Sequence, residues 1–135
     1  MQKGFATLEV ILMVVVIGIL ASIAVPRFQS VTTSANTAKI QADLTTIDTA
    51  IAVYQMEIGS DPTMAQLVSA GYLSAEPKPP TGKCYLEGSS TEADVPGTGS
   101  YTITGTGSKC HAALGDNVAG DFYLPKKTAP STSNG

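Results

Sequence analysis

The sequence predicts an α+β protein in which a long N-terminal helix packs the C-terminal half of its length against a small antiparallel β-sheet head. Three observations predict it. Val10–Val25 carries no charge and almost no polar atom. Apolar residues from Ile40 to Ile58 recur at helical spacing. The stretch after Glu76 is rich in Gly, Pro, Ser and Thr, as turn-rich strand regions are. Such uneven distribution of apolar residues points to an apolar rod and a polar head rather than one evenly packed domain. The boundaries read as residues 1–4, ahead of the apolar run; 5–58, the helix, with 5–25 its hydrophobic part; and 59–135, the head with a flexible tail.

The rod comes first. Phe5–Val25 holds one ionisable group, Glu9. At about 1.5 Å per residue it makes roughly 30 Å of helix, enough to cross a bilayer. A plain anchor is one reading and a secretory signal is another, with Ser22 and Ala24 as small residues before a cut. Glu9 fits neither well. A carboxylate inside an apolar helix costs several kcal/mol unless paired, so it marks a function. Lys3 alone is a thin basic flank for a secretory signal.

Pro26 removes a backbone donor and is expected to kink or loosen the helix. It is not expected to end it, because the helical pattern resumes at once. Gly18, Ala21 and Ser22 are small and allow close helix approach. Ile40, Leu44, Ile47, Ile51, Tyr54 and Ile58 then follow at spacings of 3 and 4, one stripe of an amphipathic helix. Lys39 and Asp43 form a possible ion pair on the exposed side. Gly59 suits the helix stop, and the whole helix would be roughly 80 Å long.

In the head, Asp61 and Pro62 read as the start of a short helix with Met64, Leu67 and Val68 facing inward and Gly71 ending it. Glu76–Gly82 is a loop. Strands are expected at Lys83–Glu87, Ser100–Thr104, Lys109–Leu114 and Phe122–Leu124, with Gly105–Ser108 as a hairpin turn. The residues from Lys126 to Gly135 read as a disordered tail.

Charge and site residues exclude several functions. With 8 basic and 11 acidic residues the net charge is −3, and no basic stripe signals specific nucleic-acid binding. His111 is the lone histidine; no nucleophile, base pair or phosphate loop stands with it. No catalytic constellation and no cofactor site is expected. Asp116, Asn117 and Asp121 lie in a Gly-bounded loop and are weak calcium candidates. Turn-forming side chains are the simpler reading, and no metal is expected. Cys84 and Cys110 are either two free thiols or a disulfide. Export of the head would favour the bridge, worth about 3 kcal/mol on the chain-entropy model.

Gly4-Phe5-Ala6-Thr7-Leu8-Glu9, followed by a Val/Ile/Leu run and Pro26, resembles the type III signal of type IV prepilins. The likeness is close over about the first 30 residues and looser over Ile47–Gly71. It implies the pilin fold. It also implies that a prepilin peptidase cuts between Gly4 and Phe5 and that the new Phe5 amine is methylated. Glu9 would then pair with the Phe5 amine of a neighbouring subunit. The implied function is a structural subunit, of the major kind, in a type IV pilus used for adhesion, motility or DNA uptake. The implied partners are other copies of itself, the inner membrane before assembly, and the peptidase and pilus assembly machinery; the implied location is the inner membrane and then an extracellular pilus. The Cys84 and Cys110 pair resembles the bounded loop of many such pilins. The alternative is a periplasmic pseudopilin of a type II secretion or competence system, which Asp61-Pro62-Thr63 and Gly71–Ser74 resemble. An anchored domain that never polymerises is the third reading.

Overall fold

The computed structural model of the chain describes residues 2–97 and 99–126. The tail expected from Lys126 lies outside the described residues apart from Lys126 itself. A first helix, α1 (Gln2–Ile58), is followed by α2 (Met64–Ser69) and four short strands, β1 (Lys83–Cys84), β2 (Ala93–Asp94), β3 (Thr102–Thr104) and β4 (His111–Ala113). Helix followed by small antiparallel sheets is the α+β arrangement the sequence predicts. α1 begins at Gln2, earlier than expected, and continues through Pro26.

The chain forms two compact units that meet within α1, residues up to Thr32 and residues from Thr33 onward. The second half of α1 therefore belongs with the head and supplies its largest apolar wall. Ile40, Leu44, Ile47 and Ile51 are buried on that wall, with Tyr54 nearly so. Leu67, Leu114 and Phe122 close over it from the head. Ile58, the last residue of the expected stripe, is exposed. Burying apolar side chains of this size stabilises by about 1.5–3 kcal/mol each.

The ends of the helices follow local chemistry. Gly59 has φ +77, and its N–H donates to the Gln55 carbonyl at 2.9 Å. This is the left-handed cap that ends α1. The start of α2 differs from expectation. Thr63, not Asp61, is the N-cap, and it forms a capping box with Gln66: Gln66 N donates to Thr63 Oγ1 and Thr63 N donates to Gln66 Oε1. The reciprocal pair satisfies two orphan donors at once, which a lone Asp61 could not do.

The sheets are shorter than expected. β1 pairs antiparallel with β2, and β3 with β4 in the register Thr102↔Ala113, Ile103↔Ala112, Thr104↔His111. β1 stops early because Leu86–Ser89 turns, with Ser89 N donating to Leu86 O at 3.0 Å. Glu87 (φ +52) and Gly88 (φ +67) both take left-handed backbone there. β2 has no apolar alternation and was not expected. Phe122–Leu124 is not a strand, yet Phe122 is fully buried. The β3–β4 connection contains the expected turn, extended by a 3-10 turn at Gly107–Lys109. Gly105 is required there: its φ is +82, and a Cβ would sit 2.1 Å from the Lys109 carbonyl oxygen.

Candidate assembly surface and head sites

Most of the described apolar side chains of α1 between Phe5 and Val31 are exposed. Phe5 is 74% exposed, Ile17 64% and Phe28 67%. The most apolar window of this helix has a mean hydropathy of 2.8 and none of it is buried. By length and composition it could cross a membrane. The hydroxyls on it turn back on the backbone. Thr7 donates to Lys3 O, Ser22 to Ile19 O and Thr32 to Phe28 O. Satisfied in this way, they add no unmet polar group to an apolar surface.

Glu9 stands exposed on this surface. Among the described residues its carboxylate makes neither an ion pair nor a hydrogen bond. Leu12, Met13, Val16 and Ile17 line a shallow groove with it. Phe5 lies one turn before Glu9 in the same helix. Gly4 and Gly18 have open space where a Cβ would be, so no packing inside the chain explains either glycine.

The head is held to α1 by polar side chains that its apolar stripe does not reveal. Thr33 donates to Glu92 Oε1 at 3.0 Å. Asn36 donates to the carbonyls of Thr81 and Lys83. The buried Thr37 hydroxyl accepts from Tyr85 N at 2.8 Å and donates to Thr33 O. Further along, Asp48 accepts from Ala112 N at 2.6 Å. The Lys39–Asp43 ion pair forms as expected, but Asp43 turns partly inward to accept from Tyr101 Oη at 2.7 Å. Asp61 accepts from Gly107 N through both oxygens, at 2.9 and 3.0 Å, and from Gln55 Nε2 at 2.8 Å. It pins the β3–β4 turn to the end of α1. The available signal was that Thr33 and Thr37 continue the 3-and-4 spacing of the stripe toward its N-terminal side.

The expected disulfide is not formed; both cysteines are free. Cys84 is fully buried in the core, whereas Cys110 is half-buried as the chain leaves the 3-10 turn at Gly107–Lys109. Burial, then Asp94, pushes the Cys84 thiol pKa up. Burial, then Asp61 and Asp48, does so for Cys110.

The other head candidates are used structurally. Asp121 Oδ2 accepts from Val118 N at 2.8 Å, and Asn117 bridges to Leu114. Asp116 is exposed beside them. Among the described residues no three His, Cys, Asp or Glu side chains gather to hold a metal. His111 lies across the β3–β4 pair, with Nδ1 2.7 Å from Lys109 O and Nε2 3.1 Å from Thr104 Oγ1.

Comparison with known proteins finds relatives over half to nearly all of the chain. The chain is 32% identical over 87 residues to the type II secretion system core protein G of Klebsiella pneumoniae, covering 64% of this chain and 61% of that protein. To the core protein G of Klebsiella michiganensis it is 26% identical over 146 residues, 93% of this chain and 96% of the relative. It is 38% identical over 65 residues to the type IV narrow pilus major component of Thermus thermophilus, 48% of this chain and 56% of the relative. The chain is similar to pilin-type proteins. The relatives named are two type II secretion core proteins and one type IV pilus component, and the first and third are spanned for less than two thirds of their length. No family model matches the pilin-like chain, and no solved structure matches it.

Proposed function

We propose that this pilin-like chain is a structural subunit, of the major kind, in a type IV pilus filament, and that it carries no enzymatic activity. The observation that supports this best is the unpartnered apolar helix of residues 5–31 with an unpaired carboxylate at Glu9. Such a surface is stable in two settings, against lipid or against other helices. A buried carboxylate in either is costly unless it meets a cation. In this reading a prepilin peptidase cuts between Gly4 and Phe5, the Phe5 amine is methylated, and Glu9 pairs with that amine on a neighbouring subunit. The ion pair fixes register more than it adds stability, because desolvation offsets much of the attraction. The subunit waits in the inner membrane through the same helix, and the assembly machinery moves it into an extracellular filament.

A pseudopilin of a type II secretion system is the second reading. It is favoured by the match to a core protein G over 96% of that relative's length. The two readings share the helix chemistry and differ in the machine.

Intact mass and N-terminal sequencing of the subunit from its native cells test the proposal. A chain starting at methylated Phe5 is the expected result. A chain still starting at Met1 would remove the filament reading in favour of a plain anchor. Electron microscopy then separates the machines, long extracellular filaments for the pilus and none outside the envelope for the pseudopilin.

A further inference from the structure

We infer that Arg27 binds the phosphate of a membrane phospholipid at the headgroup level and, with Phe28 in the acyl boundary beside it, sets how deep α1 sits in the bilayer. This rests on the membrane placement in the reading above, which the pilus and the pseudopilin share. Arg27 is the single arginine of the sequence. It stands exposed on α1 next to Phe28, itself 67% exposed. Among the described residues its guanidinium meets no carboxylate. Within α1 the nearest acids in sequence are Glu9 and Asp43, 18 and 16 positions away, and Asp43 is engaged by Lys39 and Tyr101.

The spacing fits two headgroup layers. Phe5–Val25 makes roughly 30 Å of helix, the thickness of the hydrocarbon core. Lys3 and Arg27 bracket that run, 24 positions and so about 36 Å apart along the helix. Each cation therefore falls about 3 Å outside the hydrocarbon, within the headgroup regions that bring a bilayer to about 40–45 Å. Lys3 lies among the residues that the proposed peptidase removes, so Arg27 is the cation that stays. Past Arg27 the surface changes character. Gln29, Ser30 and Thr32 are polar, whereas Phe28 and Val31 stay apolar and exposed. That mixture suits the boundary between acyl chains and water. The chemistry of the cation selects the ligand. Arginine stays charged at any working pH, and its planar fork matches phosphate oxygens through two parallel hydrogen bonds.

The test uses the full-length chain reconstituted into vesicles of phosphatidylcholine and phosphatidylglycerol in phosphate-free buffer. With one arginine in the sequence, arginine isotopically labelled at Cζ reports on this site alone. Solid-state carbon–phosphorus dipolar dephasing is expected to place that carbon within about 6 Å of a phosphorus atom. The sequence has no tryptophan, so Phe28→Trp adds a single fluorophore at the boundary. Bromines high on the acyl chains are expected to quench it more than bromines near the bilayer centre. Adding Arg27→Gln weakens that preference at least twofold, while Arg27→Lys, which keeps the charge, preserves it. No dephasing in phosphate-free vesicles, dephasing only after inorganic phosphate is added, or the same quenching profile with Arg27→Gln would overturn the inference. In each case a chain that resists extraction by alkaline carbonate leaves the membrane placement intact. A chain that carbonate strips from the vesicles would overturn both.

Discussion

At the scale of single residues, one carboxylate and one strained turn stand out. Glu9 has no partner among the described residues, which suits the proposed pairing with a neighbouring subunit. Glu9→Ala is expected to leave the head folded and to cut filament yield severely. Circular dichroism and pelleted filament protein measure the two effects, and assembly at wild-type yield would refute the pairing with the Phe5 amine. Glu87 is the opposite case, a residue whose side chain does little and whose backbone is strained. It holds φ +52 next to Gly88 at φ +67. Left-handed backbone costs a non-glycine residue about 1–2 kcal/mol, part of which glycine gives back as chain entropy. Glu87→Gly should therefore raise stability by about 0.5–1 kcal/mol. A higher urea midpoint at unchanged slope is the expected reading.

Elements are fixed by their ends. α1 stops where Gly59 turns left-handed, and α2 starts where Thr63 and Gln66 cap each other. A helix as short as α2 has little propensity to form alone, so the cap and the burial of Leu67 hold it together. Thr63→Ala should destabilise the chain by about 1 kcal/mol, read as a lower thermal midpoint in detergent. Asp61, the cap that the sequence pattern suggests, does not serve. It was the wrong residue because a longer-range donor, Gly107 N, competes for its carboxylate. Sequence distance hides that donor, which lies 46 residues away and meets Asp61 through the β3–β4 turn.

At the scale of the molecule, polar joints complete what the apolar stripe begins. Tyr101 is one of them: buried, with its hydroxyl donating to Asp43. Burial first, then the hydrogen bond to Asp43, raises its pKa above the ordinary phenol value of about 10. The folded chain thus holds the Tyr101 proton more tightly than the unfolded chain does. Stability is fully present below pH 10 or so and falls as pH rises past it, because the unfolded state ionises first. Tyr101→Phe should flatten that alkaline decline while lowering stability at neutral pH through the lost hydrogen bond. Equal slopes for both proteins above pH 10 would place the effect elsewhere. The thiols give a second test. Alkylation after unfolding without reductant should label both Cys84 and Cys110, and the folded chain should react slowly at pH 8 because Cys84 is buried, Cys110 is half-buried and both thiol pKa values are raised. A mass lower by two hydrogens with no label taken up would restore the bridge.

The sequence by itself determined what depends on period and local chemistry. The apolar run with its single Glu9 dictates an exposed membrane-capable helix. The Ile40–Tyr54 stripe dictates which face of α1 the head covers, and Gly59 dictates where α1 stops. These are legible because helical spacing and a left-handed cap are properties of neighbouring residues. Only the tertiary structure decided the rest. It left Cys84 and Cys110 as free thiols, gave Asp61 to Gly107, made β2 a strand without an apolar pattern, and buried Phe122 outside any strand. Each of these depends on groups far apart in sequence, which short strands joined by glycine turns bring together without leaving a local period to read.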